Sequence, residues 1–139
     1  MNITIKPSFL SGSVHIPSSK SMTHRMLICA ALADGTSVID GVDFSKDITA
    51  TIEAMKSLGA IIRTNGNSVT VRGIAVPSLN ASINCFESGS TLRFLIPVAA
   101  ALGTETIFLG EGRLPKRPIT AYIRELPKKG IEFSYEGTM

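Results

Sequence analysis

The sequence predicts an α/β (α+β) fold made of repeated βαβαββ units, and three observations predict it. Strand-type and helix-type segments alternate along the 139 residues. The pattern also recurs at an offset of about 68 to 71 residues. Ala30-Ala31 followed by Gly35-Thr36 returns as Ala99-Ala100 followed by Gly103-Thr104, and Leu58-Gly59-Ala60-Ile61 is echoed by Lys129-Gly130-Ile131-Glu132. Finally, Asn65-Gly66-Asn67 between two alternating runs is a strong hairpin signal. About two units are expected, enough chain for a real core.

In order along the chain, Asn2–Lys6 and Ser13–Ile16 alternate apolar and polar residues and read as two strands, with Pro7 and Gly12 marking the turn between them. Ser18 and Ser19 can cap a helix that runs to about Ala33. Its stretch Met26–Ala33 is wholly apolar, so the helix is expected to be a buried rod with a charged mouth. Asp34-Gly35 turns into a strand, Thr36–Asp40. Ser45 is placed to cap a second helix, with Asp47 in its first turn, an apolar stripe of Ile48, Ile52 and Met55, and Gly59 as its stop. Ala60–Thr64 and Ser68–Arg72 form the hairpin.

A second round begins after Pro77. Ala81–Phe86 reads as a strand, and Glu87–Thr91 as a polar lead into a helix that is apolar from Phe94 to Leu102 apart from Pro97. A proline costs least in the first turns of a helix. Glu105–Leu109 is a strand and Gly110–Lys116 a loop. Pro118 opens a last helix, which ends near Pro127 and is followed by a strand, Ile131–Tyr135. The second unit lacks its closing hairpin, so the chain is expected to be a truncated piece.

Composition excludes several classes. Hydrophobic residues make up 44% and charged residues 18%, which argues against disorder. No apolar run reaches membrane-spanning length, and MNITIKPSFL lacks the features of a signal peptide. Cys29 and Cys85 have no metal-type spacing and read as small buried hydrophobes in a reduced cytosol. A net charge of +3 favours acidic partners. Nucleic acid is a poor candidate, since Trp is absent and no Lys/Arg stripe alternates with aromatics to stack bases.

The chemistry gathers at helix starts. Lys20–His24 and Ser21–Arg25 are i,i+4 pairs at the front of one helix. A helix N-terminus carries unpaired amides and a partial positive charge, so added cations make an anion site. A single such stretch is equally an exposed helix start with solvated cations; its repetition argues for binding. The second copy offers Ser88, Gly89, Ser90 and Arg93, where the glycine lets a ligand approach the amides. GEGRLPKRPI adds Arg113, Lys116 and Arg117, although a basic turn of this kind is often only solvated. Arginine's planar fork suits carboxylates and phosphates. Asp47 reads as a helix-dipole partner rather than an acid, and His24 as a polar helix-start residue rather than a base. The sequence shows no metal or nucleophile constellation, and no clear proton-transfer group.

PSSKSMTHR, SGSTLRF and GRLPKRPI, in this order and spacing, resemble the N-terminal part of the 5-enolpyruvylshikimate-3-phosphate synthase family. The resemblance implies two domains of three βαβαββ units each, closing on the substrates. Residues 1–17 would then be strands of the other domain, 18–73 a first unit and 78–139 an incomplete second. It also implies transfer of the enolpyruvyl group of phosphoenolpyruvate to the 5-hydroxyl of shikimate-3-phosphate with release of phosphate. No metal or organic cofactor is implied. The expected partners are these two small molecules, with neither nucleic acid nor membrane, in a cytoplasmic or plastid enzyme that is a monomer at full length.

By motif match, Lys20, Ser21 and Arg25 would bind shikimate-3-phosphate, while Lys20, Gly89 and Arg117 would bind phosphoenolpyruvate. No catalytic residue is expected in this chain, because the family's acid/base groups belong to its C-terminal domain. Ser18, His24 and Glu87 depart from the usual glycine, asparagine and asparagine, and Glu87 is expected to place a carboxylate near a phosphate site. Two alternatives stand beside this reading. One is the related transferase acting on UDP-N-acetylglucosamine, whose usual loop cysteine is missing from Gly110–Arg117. The other is a non-catalytic anion- or RNA-binding module.

Overall fold

In a computed structural model that describes residues 3–135, helix formation follows the caps. α1 (Lys20–Leu32) starts at Ser19, α2 (Lys46–Ser57) at Ser45 and α3 (Gly89–Leu102) at Ser88. In each case the serine Oγ accepts a hydrogen bond from the backbone N–H three residues on, supplying one of the partners that a first turn lacks. α3 ends at Gly103, whose φ of +69° is the left-handed conformation that glycine adopts without penalty.

The strands are β1 (Thr36–Ile39), β2 (Ile61–Asn65), β3 (Ser68–Arg72), β4 (Asn80–Asn84) and β5 (Glu105–Leu109). β1, β3 and β2 form an antiparallel sheet in that order. Gly66 and Asn67 turn the hairpin, Gly66 with φ +54°. β4 and β5 pair in parallel, with Ile83 opposite Phe108, and α3 makes the crossover that a parallel pair requires. A short helix, α4 (Thr120–Glu125), closes the described chain between two 3₁₀ turns.

One core joins the two rounds. Leu27, Ala31, Ile48, Met55, Leu58, Val69, Val71, Ile83 and Leu95 are all nearly inaccessible and belong to a single cluster. α2 sits centrally and touches α1, α3, β2 and β4. Cys85 is buried in this core, which pushes its thiol up to about 12 and leaves it a hydrophobe rather than a nucleophile.

Several expectations need correction. Residues 3–16 form no strand, and Ile3, Ile5, Phe9, Leu10, Val14 and Ile16 are all exposed; Asn2 lies outside the described residues. A lone two-stranded hairpin is marginal in water, and none of the described elements covers this one. Ile131–Tyr135 forms no strand for the same reason, the partner half of its hairpin being absent from the described residues. α1 is not buried all round: Met22, Met26, Cys29 and Leu32 face solvent, so Cys29 is exposed. Its apolar run exceeds the one stripe that α2 and β3 can cover. α4 begins two residues after Pro118, and Pro97 falls deep inside α3 rather than in its first turns. None of the helices described is long and apolar enough to cross a membrane.

Candidate functional site

The starts of α1, α2 and α3 converge. Ser18 leaves the capping to Ser19; its N–H and hydroxyl donate to Asp43 Oδ2 at 2.7 and 3.1 Å, tying the front of α1 to the loop before α2. From α2, Asp47 accepts from Lys20 Nζ at 3.2 Å. Asp47 is therefore both a first-turn carboxylate and the counter-ion of Lys20. Beside it lies an open depression of about 400 Å³, lined by Asp47, Glu87, Arg117 and, at the start of α3, Ser88, Gly89, Ser90, Arg93 and Phe94.

Gly89 and Arg117 meet in this depression. A Cβ built on Gly89 would lie 2.7 Å from Arg117 Nη1, so the guanidinium rests against a turn kept bare by the missing side chain. Arg25 donates to Ser21 O at 2.9 Å and to Ser21 Oγ at 2.5 Å. The same guanidinium lies 5.4 Å from the ring centroid of Phe94, which lines the depression. Gly89 and Arg117 are thus in contact, while Lys20 and the Ser21–Arg25 pair sit one side chain back, behind Asp47 and Phe94. Arg113 and Lys116 are exposed and line no part of it.

The depression is electrically mixed but biased towards anions. Glu87 does not offer its charge to the helix start: its Oε1 accepts from the Arg113 N–H at 3.2 Å and fills the space beside Gly112, where a Cβ would meet it at 2.0 Å. Asp47 is spent on Lys20. Arg93 and Arg117 have no carboxylate partner among the described residues. What remains is two guanidinium groups and the unpaired amides of a first turn, which together suit phosphate or carboxylate oxygens. The described residues bring no three His, Cys, Asp or Glu together as a metal site.

Behind the depression, His24 is buried and its Nδ1 lies 2.7 Å from Thr51 Oγ1. Burial pushes its pKa below the ordinary 6.5, Asp47 pulls it back up, and Lys20 and Arg25 push it down. Sequence reasoning misses Thr51 and Thr91, which are fully buried here, and Phe94. It also misses Tyr122, whose hydroxyl donates to the Arg93 carbonyl at 2.9 Å. A signal was available for that contact. Pro97 has no N–H for the carbonyl four residues back, which is Arg93, so an outside donor was needed.

A family model described as EPSP synthase (3-phosphoshikimate 1-carboxyvinyltransferase) matches residues 5–139. The chain belongs to the EPSP synthase family. It is 53% identical to the 3-phosphoshikimate 1-carboxyvinyltransferase of Clostridium kluyveri over 135 residues, covering 96% of this chain and 32% of that protein. The corresponding protein of Clostridium beijerinckii is 48% identical over 97% of this chain and 33% of its own length. Among solved structures, an EPSP synthase from Acinetobacter baumannii superposes with a TM-score of 0.72 at 25% identity, over 92% of this chain and 31% of that one. The chain therefore spans about a third of the length of the curated relatives it matches.

Proposed function

We propose that this chain supplies the N-terminal substrate-binding part of a 3-phosphoshikimate 1-carboxyvinyltransferase. Such an enzyme moves the enolpyruvyl group of phosphoenolpyruvate to the 5-hydroxyl of shikimate-3-phosphate. The observation that carries the reading is the Arg117 guanidinium resting on bare Gly89 at a capped helix start, inside a depression that also holds Arg93. In this reading Gly89 and Arg117 hold the phosphate of phosphoenolpyruvate, Lys20 reaches both substrates, and Ser21 and Arg25 hold shikimate-3-phosphate. The chain contributes to rate by orienting the substrates and neutralising their charge; proton transfer belongs to groups elsewhere in the full enzyme.

Residues 1–17 belong with a second domain, 18–73 form one unit and 78–139 part of the next. This division is supported by the six exposed apolar side chains of residues 3–16. The protein acts in the cytoplasm, as a monomer at full length, with neither nucleic acid nor membrane as partner. Calorimetry tests the reading. Shikimate-3-phosphate binds the chain weakly, Arg25→Ala abolishes the heat, and a UDP-sugar produces none. Preferential binding of a UDP-sugar or of RNA overturns it. In a coupled phosphate-release assay the 139-residue chain shows no turnover; turnover would refute the assignment of proton transfer to groups elsewhere.

A further inference from the structure

Four buried polar side chains form one hydrogen-bonded line from α1 through α2 to the cap of α3. His24 Nδ1 lies 2.7 Å from Thr51 Oγ1, Thr51 Oγ1 lies 2.8 Å from Thr91 Oγ1, and Thr91 Oγ1 donates to Ser88 Oγ at 2.7 Å. His24 and Ser88 are 2% and 3% exposed and both threonines are inaccessible, so water does not replace these partners. Ser88 is also the α3 cap and lines the depression beside Gly89.

A hydroxyl has one proton to give, and that count sets the sense of the line. Both threonine hydroxyls also lie 3.4 Å from the Asp47 carbonyl, a longer and weaker contact than the links of the line; with Thr91 donating to Ser88 at 2.7 Å, Thr51 donates to Thr91 at 2.8 Å. Thr51 then has none left for His24, and the proton of the first link must sit on Nδ1. At the far end, Ser88 Oγ accepts from both the Thr91 hydroxyl and the Thr91 N–H, which leaves its own proton free for a further acceptor, and Ser88 lines the depression. The opposite sense would turn the Ser88 proton inward and present a lone pair to any anion at Gly89.

We propose that His24 is a positioning residue: a proton on Nδ1, relayed in sense through Thr51 and Thr91, aims the Ser88 hydroxyl at the anion held by Gly89 and Arg117. The inference rests on the anion-site reading above. Burial keeps the ring neutral, against the pull of Asp47 and with the push of Lys20 and Arg25, so the relay needs a tautomer rather than a charge.

Ring nitrogen-15 shifts of His24 and titration with sulfate, an anion that does not itself titrate near neutrality, test it on the 139-residue chain. The expected result is a neutral ring with Nδ1 protonated and Nε2 bare. Thr51→Val, which keeps the shape and cuts the line, weakens sulfate about fivefold and moves the proton towards Nε2. His24→Leu weakens sulfate similarly, and His24→Asn, whose amide N–H can stand in for Nδ1–H, restores it. A bare Nδ1 in the unaltered chain overturns the proposal, as does a Thr51→Val variant that binds sulfate normally. Arg117→Ala separates the two readings. If it leaves sulfate binding unchanged, the anion site itself is misplaced, and the ring shifts still decide the relay.

Discussion

In the first repeat the chain leaves α1, runs out along β1 and returns along β3 so closely that backbone meets backbone. Gly73 N donates to Gly35 O at 3.0 Å and Ile74 N to Ala31 O at 2.8 Å. In the second repeat, among the described residues, β5 pairs only with β4, Ile107 and Leu109 stay half or more exposed, and α4 is held to α3 by side chains. Those ties are Tyr122 to the Arg93 carbonyl at 2.9 Å and Arg93 to the Pro118 carbonyl at 3.4 Å. The difference teaches where rigidity comes from. A complete hairpin anchors its helix through main-chain bonds, whereas the α4 end of the chain is tied to α3 by two side-chain bonds, one of them to the carbonyl that Pro97 releases.

Substitutions can break each kind of closure in turn. Gly73→Ala is expected to cost the most, about 3 kcal/mol, because its Cβ would fall 1.8 Å from the Ala33 carbonyl, and main chain cannot step aside. A urea midpoint well below that of the unaltered chain, at unchanged slope, is the expected reading; an unchanged midpoint would mean that the first repeat is not closed this way. Gly89→Ala meets the far end of a flexible side chain instead. The fold should survive while Arg117 is displaced, and sulfate affinity should fall about tenfold, roughly 1.4 kcal/mol.

Tyr122→Phe strips the donor from the Arg93 carbonyl, an exposed bond that water can partly replace, so about 1 kcal/mol is expected. Its signature is local: amide exchange quickens across 118–126 and stays unchanged in α1. Equal acceleration in both helices would erase the contrast between the two closures.

The smallest effects concern two groups of the first repeat, His24 and Asp47. Burial holds His24 below its ordinary 6.5, so the unfolded chain takes up a proton that the folded chain refuses. The stability this contributes is present above about pH 6.5 and is lost as the pH falls through the lowered value. Urea unfolding at several pH values should show that loss, and His24→Asn should remove this part of it. Asp47→Asn cuts a surface pair with Lys20 and should change stability by less than about 0.5 kcal/mol. The same change takes a negative charge from the wall of the depression and should tighten sulfate binding, more so at low salt.

Much of this was legible in the residues alone. The serine caps, the Asn65-Gly66-Asn67 turn, the repeat and the family resemblance depend on local chemistry that a sequence displays directly. Burial was less legible. Nothing within Met26–Ala33 tells which apolar residues will find a neighbour, and Cys29 and Met26 turned out to face solvent. Residues 3–16 show the same gap, since a strand is half of a pair and its pattern does not reveal whether the other half is present.

By itself, then, the sequence determined the helices, the central strands and the supply of cations, because each rests on contacts within a few residues. Only the tertiary structure decided that Arg117 lies on Gly89, that Lys20 is held by Asp47, and that His24 is wired through Thr51 and Thr91 to Ser88. Apart from the Thr91–Ser88 link, such contacts join residues 27 to 40 positions apart. Packing α1 on α2 and α2 on α3 brings Lys20 to Asp47, His24 to Thr51 and Thr51 to Thr91, and no local propensity encodes that distance.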